Sequence, residues 1–151
     1  MKKIIRIFAG LLTLVLVGCT QTSASPTIYS FSGGREELRI INGVAVVGSQ
    51  EETFYGGVLE LDTSIFKNVK EYTIRFYIED EEPWEILHHS VQGEVFDLEN
   101  QDLGTRTGHV LKENMDVKDL QEHLYFEMKV TFESGKSESF TFPMKVQQIH
   151  A

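Results

Sequence analysis

Glu79-Asp80-Glu81-Glu82, with Glu85 just beyond, is the densest run of charge in the 151-residue chain. It is also the oxygen-rich kind of loop that suits calcium. The run has no further calcium-loop signature, so it reads as a solvated, mutually repelling turn between strands. Asp97-Leu98-Glu99-Asn100-Gln101-Asp102 imitates a calcium loop more closely. It places Asp102 where the EF-hand turn requires glycine, and is rejected. His88, His89, His109 and His123 offer imidazoles for zinc. Adjacent residues of a strand point to opposite faces, so His88 and His89 cannot share one ion, and no metal site is expected. There is no Gly-x-Ser-x-Gly elbow, and Ser137 and Ser139 fall on the outward parity of a closing strand. Gly33-Gly34 and Gly56-Gly57 lack the lysine and helix of a phosphate loop. No catalytic residue is assigned and the chain is expected not to be an enzyme. A carboxylate pair of the glycosidase kind stays open, because the separation of such a pair is invisible in sequence.

Aromatic residues are the better pointer. Tyr55, Tyr77 and Trp84 lie on the parity opposite the expected core or beside loops, and together form a candidate binding patch for protein or glycan. The competing reading is a second buried face, reached where a strand changes parity at a bulge. Trp84, between Pro83 and Glu85 at a strand entry, is the residue of first interest.

The N-terminus bears on location. Lys2, Lys3 and Arg6 precede an almost wholly apolar run, Ile7 to Val17, that is too short for a permanent membrane span and reads as a cleavable signal peptide, residues 1–18. The run ends in Leu16-Val17-Gly18-Cys19, and Cys19 is the only cysteine. This junction resembles the lipobox of bacterial lipoproteins. The resemblance implies cleavage between Gly18 and Cys19, with covalent diacylglycerol and an N-acyl chain on Cys19 and no other cofactor. It also implies a place on the extracytoplasmic face of the cell membrane. Each buried methylene contributes about 0.8 kcal/mol, so two or three long chains hold stably. Acylation leaves no thiol for a disulfide or a nucleophile.

Three of the 14 basic residues belong to the signal peptide. The remaining chain sets 11 Lys and Arg against 23 Asp and Glu, a net charge of −12. Phosphate backbones and anionic headgroups repel such a surface, which excludes nucleic acid as a partner and leaves the membrane contact to the anchor.

The elements that position these side chains are read from period-two alternation. Residues 19–26 read as the lipidated cysteine and a flexible tether, and residues 27–151 as one domain. Leu38, Ile40, Val44 and Val46 share a parity through Asn42-Gly43, which is read as one long strand bulged near Gly43 rather than a hairpin. Thr53 to Leu61 is a second strand, with Leu59 and Leu61 inward and Gly56-Gly57 marking a bulge or a close backbone approach. Tyr72, Ile74, Phe76 and Ile78 give the cleanest alternation, and further strands are expected over Trp84–Phe96 and Thr105–Leu111. Asp116 caps a short helix through Leu120. Leu124 to Phe132 and Ser137 to Gln147 close the domain. This is the pattern of an all-β, immunoglobulin-like antiparallel sandwich of about seven or eight strands with one short helical turn, in which Tyr125 is placed as a tyrosine corner.

The opening Tyr29-Ser30-Phe31-Ser32-Gly33, the long alternating strand, the tyrosine-glycine strand and the closing strand pair resemble small lipoproteins of Gram-positive bacteria, built as lipobox, tether and single β domain. That likeness implies architecture and carries no residue roles. The expected function is therefore a membrane-anchored, non-enzymatic interaction module of the cell envelope with a protein or glycan partner. The alternative is a lipid-anchored hydrolase or divalent-metal-binding protein.

Overall fold

A computed structural model describes residues 25–92 and 100–149. Cys19, residues 1–18 read above as a signal peptide, and Asp97 to Glu99 lie outside the described residues. Two antiparallel sheets make an all-β sandwich. The larger contains β1 (Thr27–Gly34), β2 (Leu38–Val47), β3 (Glu52–Tyr55), β4 (Val58–Leu61), β7 (Gln101–Asp102), β8 (Thr105–Gly108) and β11 (Lys145–Ile149), in the order β11-β1-β2-β3-β8 with β4 against β2 and β7 against β4. The smaller contains β5 (Val69–Ile78), β6 (Trp84–Gln92), β9 (Leu124–Phe132) and β10 (Ser137–Pro143), in the order β10-β9-β5-β6.

Alternation dictates the core. Tyr72, Ile74, Phe76 and Ile78 of β5 face Leu124, Phe126, Met128 and Val130 of β9 on the same inner surface, all essentially without solvent contact. Five phenylalanines then cross from one sheet to the other. Phe31 stacks on Phe54 at 4.9 Å, Phe54 meets Phe76 at 5.2 Å, Phe76 meets Phe126 at 5.1 Å, and Phe126 meets Phe142 at 5.2 Å. Offset and edge-on ring pairs of this kind add directional preference to the burial of apolar area.

Among the described residues the chain forms eleven strands rather than seven or eight, for three local reasons. β2 is one continuous strand, in agreement with the alternation, and Asn42 sits in its middle at φ 58°. Phe31 pairs with Gly43 and Gly33 with Ile40, so Ile41 and Asn42 together oppose Ser32. An inserted residue flips every side chain beyond it. Gly43 and Ala45 therefore face the core, and Val44 and Val46 turn to the outer surface. The expectation that parity survives across Asn42-Gly43 is thus corrected. Gly43 is required by packing, because a Cβ there would stand 2.1 Å from the Phe31 ring. Next, Gly56-Gly57 separates β3 from β4. Gly57 has φ 83°, and a Cβ there would lie 2.3 Å from the Ile41 carbonyl oxygen. Finally, the closing strand is two strands. β10 pairs with β9, and β11 pairs with β1 in the other sheet. The chain changes sheets at Pro143-Met144, where proline has no N–H for a ladder and the Met144 N–H donates to the Leu124 carbonyl at 2.8 Å.

The helix α1 (Val117–His123) is as expected. Asp116 and Asp119 form a reciprocal capping box, and Leu120 is fully buried. Among the described residues no helix is long and apolar enough to cross a membrane.

Candidate functional site: the outer face of the four-stranded sheet

The inward parity of β5 and β9 leaves a second set of side chains on the opposite surface, and the strand registers order them. Tyr77 lies between Glu85 and Tyr125, and Tyr125 beside Pro143. Arg75 lies between His88 and Glu127, with Thr141 beyond. Thr73 lies between Ser90 and Lys129, with Ser139 beyond, and Glu71 between Gln92 and Thr131, with Ser137 beyond. These four rows across four strands contain no Leu, Ile, Val or Met.

One end of the face is held by ion pairs and ring contacts. Glu127, 12% exposed, accepts a hydrogen bond from Arg75 Nη2 at 2.8 Å and an ion pair from Lys129 at 2.9 Å. The Arg75 guanidinium lies 4.7 Å above the Tyr77 ring, and Tyr77 stacks on Tyr125 at 5.8 Å. Partial burial pushes the Glu127 carboxyl up, but Arg75 and Lys129 outweigh it and hold the group below its ordinary value. Burial, and then the Glu127 charge, push the Tyr77 hydroxyl up.

The other end is a shallow groove of about 440 Å³. Its floor and walls carry Thr73, Ser90, Gln92, Lys129, Thr131, Ser137 and Ser139. Hydroxyls pair across strands, Thr73 with Ser90 at 3.4 Å and Thr131 with Ser137 at 3.2 Å. Each hydroxyl both donates and accepts and so keeps hydrogen-bonding capacity beyond its cross-strand partner, and the lining also carries the charges of Lys129, Glu71 and Glu138.

The sequence-derived patch does not assemble. Tyr77 is 7% exposed and buried between Arg75 and Tyr125, so its placement as a solvent-facing binding residue is corrected. Trp84 is half-buried and packs against the core, with its indole N–H donating to the Val110 carbonyl at 2.7 Å. Tyr55 belongs to the other sheet, where its hydroxyl donates to Asp102 at 3.2 Å. Tyr125 does not reach back to upstream backbone as a tyrosine corner would. Its hydroxyl is pushed up by the Glu79 carboxylate beside it. The acid run is an exposed turn between β5 and β6, and His88 pairs with Glu85 at 3.2 Å. Among the described residues no three His, Cys, Asp or Glu side chains converge on a metal position.

Sequence reasoning found the outward parity of Thr73, Arg75 and Tyr77 and of Ser137 and Ser139. It had no signal for Glu127 and Lys129 as their partners, because that pairing depends on β9 lying between β5 and β10. Compared with known proteins, the chain matches no family model, no curated protein and no solved structure.

Proposed function

We propose that the chain is a lipid-anchored, non-enzymatic binding module on the extracytoplasmic face of the cell membrane, and that it holds a hydroxyl-bearing envelope glycan against the outer face of the four-stranded sheet. The observation that carries this reading is the groove in which the hydroxyls and amide of Thr73, Ser90, Gln92, Thr131, Ser137 and Ser139 stand among Lys129, Glu71 and Glu138. Paired hydroxyls and an amide match the donor and acceptor pattern of a sugar, and the open shape suits a polymer lying across the sheet. Glu127 argues against the hydrolase alternative on this face. A glycosidic general acid has its pKa raised, whereas Arg75 and Lys129 hold Glu127 down.

Photo-crosslinking in living cells tests the reading, with the probe at Ser139 and a control at Lys118, exposed on α1 and on neither sheet face. The expected product is a heterogeneous adduct, seen from Ser139 alone, that glycan-degrading enzymes collapse to a single band. A discrete protein adduct would transfer the surface to a protein partner. Equal or absent adducts from both positions would remove the face as a binding site.

A further inference from the structure

The outer face of the seven-stranded sheet differs sharply from that of the smaller one. Its registers align Ile149, Ile28, Val46, Thr53 and Thr107 in one row across β11, β1, β2, β3 and β8. The next row is Gln147, Ser30, Val44, Tyr55 and Thr105. Ten neighbouring side chains therefore carry no charge, in a chain that is 25% charged. Lys145, paired with Ser32, and Asp102, beside the Tyr55 hydroxyl, mark the limits of the patch. Its corner is apolar and open to solvent, with Ile28 40% and Ile149 47% exposed and directly opposite each other.

We infer that this uncharged face rests on the bilayer surface and so fixes the orientation of the domain on its anchor. The inference rests on the lipidation of Cys19. Chain length supplies the first argument. Ile28 is nine residues from Cys19, so the patch corner is held within about 30 Å of the acyl chains however the intervening residues run. Residues 19–27 carry no charge either, so nothing in that stretch opposes approach to a headgroup layer. Charge supplies the second argument. A molecule carrying −12 outside its signal peptide is pushed from an anionic membrane on every acidic side, and least at the face without charge. Side-chain type supplies the third, since two isoleucines, two valines and a tyrosine suit the boundary between headgroup and acyl chain. Resting on this face turns the groove of the other sheet away from the membrane, toward the envelope.

The lipidated full-length protein, bound to phosphatidylcholine–phosphatidylglycerol vesicles, provides the test. Acylation consumes the Cys19 thiol, so Thr53→Cys or Ser139→Cys introduces a single thiol for an environment-sensitive fluorophore. A spin-labelled headgroup lipid is the quencher. Quenching is expected to be several-fold stronger from position 53 than from position 139, and an Ile149→Cys probe gives the same result by a separate substitution. Ile28→Glu combined with Ile149→Glu is expected to erase the difference while vesicle flotation persists. Equal quenching at 53 and 139 with flotation intact overturns the docking and leaves the anchor standing. Failure of the lipidated chain to float more than Cys19→Ala overturns the anchor and the docking with it. A signal at 53 that appears only at high surface density assigns the face to a second copy, and also overturns the proposal.

Discussion

Glu127 shows how one side chain can be set by neighbours that sequence places far away. Arg75 is 52 positions earlier and reaches it only because β5 and β9 pair in the register that aligns them. Its carboxyl is depressed below the ordinary 4.5, so the folded state binds that proton less readily than the unfolded chain. The stabilisation is therefore present above the unfolded value and is lost as pH falls through the depressed folded value. Urea midpoints measured from neutral to strongly acid pH check this. Glu127→Gln is expected to cost about 1 kcal/mol at neutral pH, a modest figure because a third of Arg75 is in contact with water. The gap between the variant and the wild type should narrow below pH 4.5 and close at the acid end. A gap independent of pH would assign the loss to packing. Gly43 is a residue whose role was half legible: Asn-Gly marked an irregularity, but the need for glycine came from the Phe31 ring, which only the bulged register places over it.

Elements were legible wherever a strict alternation met no interruption. β5 and β9 carry four consecutive inward apolar positions each, and their mutual ladder runs without a register shift through all of them, the bulge at that height falling on β6. Legibility ended where a single residue redirects the strand beyond it. Asn42 turns the parity of β2, and Pro143-Met144 moves the chain to the other sheet while the apolar pattern Phe140, Phe142, Met144, Val146 continues unbroken. Both sheets bury their inner faces, so alternation cannot tell them apart. Trp84 illustrates the same limit at β6. Its parity suggested a surface ligand contact, yet its indole fixes the segment after β8 by donating to Val110, whose own N–H donates to Glu52 at 2.7 Å. Arg106 reinforces that seam by donating to the Glu85 and Ile86 carbonyls. Trp84→Phe keeps most of the ring and removes the donor, leaving the partly buried Val110 carbonyl to find water. Chemical unfolding should register a loss of about 1 kcal/mol. Hydrogen exchange should accelerate first at residues 109–116, before β5 and β9. Unchanged exchange there would mean that the indole is a surface group after all.

At the level of the whole molecule, the balance of charge opposes the fold, and the few opposite-charge contacts do little to restrain it. Residues 19–151 set 23 acidic residues against 11 basic ones. Arg39–Glu60, Lys118–Glu122 and Lys136–Glu138 are exposed pairs of the kind that contribute ~0–1 kcal/mol, and among the described residues the best-shielded pairs are those that Glu127 makes with Arg75 and Lys129. Compaction brings the uncompensated carboxylates together, so self-repulsion raises the free energy of the folded chain above that of the expanded one. Added salt screens this long-range repulsion across a Debye length of about 8 Å at physiological ionic strength. It screens contact pairs at about 3–4 Å less effectively. The net effect should have the sign of the repulsion. Thermal unfolding in sodium chloride is expected to show a midpoint that rises by several degrees between low and physiological ionic strength and then flattens. A midpoint that falls with salt would mean that the surface pairs, and not the net charge, dominate. The two outer faces make the same measurement informative about the site. If the excess charge is concentrated away from the row Ile149-Ile28-Val46-Thr53-Thr107, adding a single carboxylate there by Thr53→Glu should lower stability less than one placed directly opposite Glu127 by Thr141→Glu. Salt should recover the second loss more fully than the first, because only the second arises from repulsion.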